Sequence, residues 1–222
     1  MRRMVYKTFI GYSNEDKNLA KYTHDSLERI VQIQPYLAEI YPDYGEDFKK
    51  RLEDELYDSH FMIVFLTNNG ICSQWVNQEI GYAYALKRRP RLLPLLRGLP
   101  HIIPISESQT KLKGFITKDT IDILFLDKFP NVELVIANII FTIRRYIPRG
   151  LEEGFLKVRI TCSNCLNERG LPFEYSCPIP DNETVCKTIE MDSQPVLQSA
   201  CPQCPVENHF DARTFLPLRR NE

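Results

Sequence analysis

Residues 60–67, His-Phe-Met-Ile-Val-Phe-Leu-Thr, are the most hydrophobic strand-like stretch of the chain, and the turn chemistry of Asn68-Asn69-Gly70 ends them. A run of that length without polar alternation is a central strand buried on both faces, which needs helices packed above and below its sheet. The flanking sequence offers them. Residues 5–10 form a short β-prone segment, and Asn14, Glu15 and Asp16 supply acidic and capping residues before a helical stretch over 17–33 with apolar Leu19, Tyr22, Leu27 and Ile30. Residues 36–40 are expected as the second strand, Pro42 to Gly45 as a turn, and Phe48, Leu52 and Leu56 at four-residue spacing as the buried stripe of a second helix. Ser73 can cap a third helix reaching about Lys87, residues 91–96 and 120–126 are expected as further strands, and 132–146 as a closing helix. Five strands alternating with helices predict an α/β fold: a flavodoxin-like, open five-stranded parallel sheet with right-handed crossovers and helices on both faces.

The last third of the chain differs. The break falls near Pro148-Arg149-Gly150, so that residues 1–148 are expected as one domain and 149–222 as a second. Residues 1–150 carry a net charge of +3 and residues 151–222 one of −4, consistent with the −1 of the whole chain. Six of the seven cysteines lie in the second part, which lacks long apolar periodic segments and so calls for a constraint other than a large core. Cys162-Ser163-Asn164-Cys165 and Cys201-Pro202-Gln203-Cys204 are two CxxC knuckles, the pattern in which four thiolates enclose a tetrahedral zinc ion. Four such ligands leave no open coordination position, so a zinc-ribbon-like β module with a structural Zn2+ is expected. The 35 residues between the knuckles exceed the usual spacing of about 15–20. Cys177 and Cys186 lie among them and stay open as loop thiols, a disulfide or substitute ligands. Disulfides between the knuckles, or an unmetallated redox module, are the alternatives. His209 is read as a surface or core histidine.

Charge and hydropathy exclude several classes. A net charge of −1, with only Arg219-Arg220 clustered near the end of the acidic module, does not point to nucleic acid, and a sensing or protein-interaction role for that module is expected instead. The longest apolar runs, residues 61–66 and 134–143, are shorter than the roughly 18–20 residues of a membrane span. The first residues lack the apolar core of a signal peptide, so the protein is expected to be cytoplasmic. There is no GxGxxG and no GxxxxGK[ST].

In open α/β sheets ligands bind at the carboxyl ends of the strands, which directs attention to the loops after residues 10, 40 and 67. Beyond the third of these, Trp75 and Glu79 stand four apart and hence on one helix face, with Tyr82, Ala83 and Leu86 sharing it. A carboxylate beside a flat aromatic can grip a ring and stabilise a nearby positive charge. A core tryptophan beside a solvated glutamate would give the same pattern. Cys72 has no histidine near it in sequence and is read as a small buried thiol. Residues 87–91 are read as a solvated helix end, and Glu53, Asp54, Glu55 and Asp58 as the polar face of their helix.

Taken in order, Phe9-Ile10-Gly11-Tyr12-Ser13 followed by Asn-Glu-Asp, the 40–47 loop with Gly45, the run HFMIVFLT and Ser-x-Trp-x-x-x-Glu resemble the TIR (Toll/interleukin-1 receptor) domain family over about residues 4–146. The likeness is to the stand-alone prokaryotic proteins of that family, archaeal ones included. It implies an NAD+ glycohydrolase or ADP-ribosyl cyclase with Glu79 as the catalytic residue. By the same resemblance Phe9, Gly11, Tyr12 and Ser13 after the first strand, and Tyr41, Asp43 and Gly45 in the second loop, contact the nucleotide, while Trp75 and Tyr82 line it. Gly11 departs from the commoner Phe-Ile-Ser-Tyr, and no basic residue follows Tyr12. The resemblance further implies self-association through TIR–TIR contacts and a role in antiviral defence or signalling. Two other functions remain open at this point: a non-catalytic TIR adaptor, and a nucleoside deoxyribosyltransferase-like enzyme, which also uses a glutamate at a ribosyl carbon.

Overall fold

The structure, a computed structural model, describes residues 5–38, 46–87, 100–107, 112, 123–147, 156–192 and 194–218. Its first part holds strands β1 (Tyr6–Gly11), β2 (Ile33–Tyr36), β3 (Phe61–Leu66), β4 (His101–Ser106) and β5 (Leu124–Phe125), with helices α1 (Lys17–Glu28), α2 (Glu46–Asp58), α3 (Gln74–Lys87) and α4 (Val132–Tyr146). All strand pairs are parallel and the order is β2-β1-β3-β4-β5. The expected flavodoxin-like sheet is present, and its switch point lies between β1 and β3, the neighbours from which the order runs both ways. β3 is central, and all six of its residues are buried.

Alternation along the strands divides the core in two. Ile10, Ile63, Phe65, Ile103 and Ile105 pack with Ala20 and Leu27 of α1 and with Val135, Ile136, Ile139 and Ile140 of α4. On the other face Phe9, Met62, Val64, Leu66 and Ile102 pack with Leu52 and Leu56 of α2 and with Val76, Ile80 and Ala83 of α3. Helices α3 and α4 begin where the sequence places them, with Ser73 Oγ accepting from Val76 N–H at 3.4 Å and Asn131 Oδ1 accepting from Leu134 N–H at 3.0 Å.

Three expectations shift. The first helix ends at Glu28, because Ile30 forms an antiparallel bridge with Val158 and Val31 N–H donates to Lys157 O at 2.8 Å, so long-range pairing claims residues whose local pattern is helical. β2 is Ile33–Tyr36 rather than 36–40, since its register sets Ile33 beside Tyr6 and Tyr36 beside Phe9, and Pro35 is tolerable on an edge strand. The fourth strand is His101–Ser106, a segment that the sequence reading passed over. Its Pro104 fits because His101 N–H donates to His60 on the β3 side, and alternation turns position 104 toward β5, whose described pairs begin only at Ile105. Of the expected 120–126 strand, Leu124–Phe125 is formed; the expected strand at 91–96 lies outside the described residues.

The tail consists of the antiparallel pair β6 (Lys157–Leu166) and β7 (Pro172–Pro178), helix α5 (Asn182–Met191), and the pair β8 (Val196–Ala200) and β9 (Glu207–Asp211). Val158, Ile160, Ile179, Val185, Phe210 and Phe215 are buried in the same cluster as the α1 and α4 side chains. Each such side chain contributes about 1.5–3 kcal/mol, so apolar burial holds the tail against the sheet. No described helix is long and apolar enough to cross a membrane.

Candidate active site and cysteine cluster

Helix α3 buries Val76, Ile80, Ala83 and Leu86 and thereby turns Trp75, Glu79 and Tyr82 toward the end of β1. These three line one cavity of about 80 Å³ together with Phe9 of β1 and Leu52, Glu53 and Leu56 of α2. Trp75 is 40% exposed and Tyr82 is half-buried, whereas Glu79 is only 8% exposed. Phe9 stacks on Tyr36 of β2 with centroids 5.7 Å apart.

Glu79 lies close against Gly11. A Cβ on Gly11 would lie 2.6 Å from Glu79 Oε2, so the carboxyl rests on bare backbone where any side chain would displace it. Glu79 Oε2 is buried and has no hydrogen-bond partner among the described residues. Burial pushes the Glu79 carboxyl up from its ordinary 4.5 to about 8, and a hydrogen bond from the Trp75 side chain, whose only donor is the indole N–H, draws it partly back. Burial thus favours the protonated form of this carboxyl, and a cation or a donor beside it would favour the ionised one.

The two halves of the 9–13 segment face opposite ways. Phe9 and Gly11 lie on the Glu79 face, whereas Ile10 and Tyr12 pack into the α1/α4 core. Ser13 is buried, and its hydroxyl donates to Asp16 Oδ2 at 2.6 Å, so it is not among the residues lining the cavity. Thr67 Oγ1 donates to the same Asp16 oxygen at 2.7 Å and accepts from Gly70 N–H at 3.0 Å. Asp16 therefore ties the loop after β1 to the loop after β3, two of the three loops expected to carry ligand contacts. In sequence Asp16 reads only as a helix-start residue, and nothing local marks its partner 51 positions away. Glu53 likewise reads in sequence as part of a polar helix face, although it lines the cavity. Tyr41, Asp43 and Gly45 lie outside the described residues.

In the tail, Cys162, Cys165, Cys201 and Cys204 present Sγ atoms all within 4.8 Å of one another. Cys162 Sγ and Cys204 Sγ are 3.7 Å apart, and Cys201 Sγ and Cys165 Sγ 4.0 Å. Bonds of about 2.3 Å to a tetrahedral ion set sulfur atoms about 3.8 Å apart. Each knuckle also turns a backbone N–H onto its first thiol, Asn164 to Cys162 and Gln203 to Cys201, both at 3.4 Å. The four-cysteine group can hold a metal ion. Cys177 and Cys186 are not part of it, and neither is His209.

No curated protein matches the chain. The model of the TIR domain family matches residues 8–122, half of the chain, spanning β1 to the segment before β5 and including every described residue of the Glu79 cavity. With that match on a five-stranded parallel sheet, the chain belongs to the TIR domain family.

Proposed function

We propose that the chain is an NAD+ glycohydrolase or ADP-ribosyl cyclase that breaks the nicotinamide–ribose bond with Glu79 as its catalytic carboxylate. The observation that carries this reading is the Glu79 carboxyl, buried on Gly11 in an aromatic-walled cavity with Oε2 unpartnered among the described residues. Leaving a buried polar atom unpaired costs about 1–3 kcal/mol, and desolvated groups of this kind concentrate at functional sites. Glycosidases that expel an alcohol need a second carboxyl to protonate it. Nicotinamide in NAD+ is cationic and departs neutral with the C–N electron pair, so one carboxylate suffices. The ribosyl carbon is then taken by water, giving ADP-ribose and a proton, or by a nucleophile of the same molecule, giving a cyclic isomer. The positive charge of the bound pyridinium and of the transition state favours the ionised form of Glu79 and draws its pKa down from about 8. Trp75 and Tyr82 supply flat faces for a ring.

The test is incubation of the purified chain with NAD+ and chromatographic identification of the products. Glu79→Gln should abolish nicotinamide release with the fold intact; turnover retained by a folded variant would refute the assignment, and turnover of deoxynucleosides instead of NAD+ would replace it. The described walls enclose only about 80 Å³, less than the roughly 300 Å³ of ordinary small-molecule sites. That size favours a second reading, an adaptor acting by TIR–TIR assembly, and the same turnover assay separates the two. If assembly completes the site, specific activity falls on dilution.

For the tail we propose a structural Zn2+ held by Cys162, Cys165, Cys201 and Cys204, on the strength of the sulfur spacing and the paired knuckle N–H contacts. Zinc would crosslink β6 to the turn between β8 and β9. A metal content of one zinc per chain is expected, lost when either knuckle is changed to serine.

A further inference from the structure

A second and larger cavity, of about 450 Å³, lies where the loop after α1 meets β6 and β9, away from Glu79. Its volume falls within the range of small-molecule sites, about 300–1,000 Å³. Two of its walls are Arg29 and Arg159. Arg159 N–H donates to Arg29 O at 2.6 Å beside the Ile30–Val158 bridge, so the two arginines are direct neighbours across an antiparallel rung. Like charges directly opposite each other are destabilising. Neither guanidinium has an ion-pair partner among the described residues, and Glu207 is a further wall residue. A third wall residue, His209, has a buried Nε2 with no hydrogen-bond partner among the described residues. Ser163 and Asn164 add hydrogen-bonding side chains, and Phe215 an apolar face. Phe215 is held at φ 57, a left-handed conformation that a bulky residue adopts only under outside constraint, here with its N–H bonded to Asp211 O at 2.9 Å.

We propose that this cavity binds a phosphate monoester on a nucleotide-sized body. A single carboxylate would leave one of the two guanidinia uncompensated. A phosphate monoester carries a charge near −2 and several acceptor oxygens, so it matches both forks at once. The cavity exceeds what inorganic phosphate would fill, and its phenylalanine wall suits a base. The site does not depend on the chemistry assigned to Glu79. Its ligand is a free mononucleotide or the 5′-phosphate end of a nucleic acid strand, which share this chemistry.

The full chain is titrated calorimetrically with AMP, inorganic phosphate and a 5′-phosphorylated dinucleotide, each at two salt concentrations. AMP is expected to bind at one site, more weakly at high salt, with affinity at least tenfold lower in Arg29→Gln/Arg159→Gln and unchanged in Glu79→Gln and Trp75→Ala. Tighter binding of the dinucleotide than of AMP identifies a strand end as the source. The two guanidinia form no hydrogen bond among the described residues and stand as a like-charge pair, so the double variant should melt at or above the parent; if it melts below, Arg159→Glu and protection of β6 and β9 amides from exchange by AMP replace it as readouts. AMP failing to bind the parent, binding equally to the arginine variants, or lost in Trp75→Ala alone would overturn the proposal.

Discussion

Glu79 and Gly11 make one unit. A carboxyl raised to about 8 keeps in the folded state a proton that the unfolded chain releases near 4.5. Stability therefore falls as pH rises through that window, and the full cost is present above pH 8. Glu79→Gln removes the ionisation and should melt several degrees above the parent at pH 8.5 but equally at pH 4, read by thermal unfolding at both values. The proposed catalysis would run the other way. With the ionised form active, kcat/KM for nicotinamide release should climb toward pH 8, while the limb in kcat, which reports the bound state, should lie at lower pH. Gly11→Ala sets a methyl group 2.6 Å from Oε2, and the flexible carboxyl is what must give way. Activity should fall by about tenfold or more with little change in melting temperature, since the cost falls on position rather than packing.

At the level of elements, the loops after β1 and β3 are held together. Thr67 after β3 and Ser13 after β1 both donate to Asp16, and Thr67 also takes up the Gly70 N–H. Thr67→Val keeps the shape and deletes both bonds, leaving a buried carboxylate oxygen and a backbone donor short of partners. A loss of about 1–3 kcal/mol in denaturant unfolding is expected. α3 and α4 were legible because Ser73 and Asn131 cap them and their apolar stripes repeat locally. The end of α1 was not legible, because the residue that takes Val31 N–H is Lys157, 126 positions away.

Across the whole molecule, the tail and the sheet share one apolar cluster, in which Val158, Ile160 and Phe210 meet Leu27, Ile30 and Ile140. Arg144 Nη1 also donates to Pro180 O at 2.7 Å, which ties α4 to the segment before α5. Removing the proposed zinc with a chelator should therefore lower the melting temperature of the chain in a single calorimetric transition. Two separate transitions would show that the tail folds on its own.

What the sequence determined by itself is what short-range periodicity can carry: a buried central strand, helices on both sides of it, Trp75 and Glu79 on one helical face, and two cysteine knuckles. Each follows from spacings of two to four residues, which backbone geometry converts directly into shared faces. Only the tertiary structure decided that Gly11 rather than Ser13 meets Glu79, that the second strand begins at Ile33, that Asp16 serves two loops, and that Arg29 stands beside Arg159. Those pairings join residues from separate elements, and their energies exist only once the sheet has set its register.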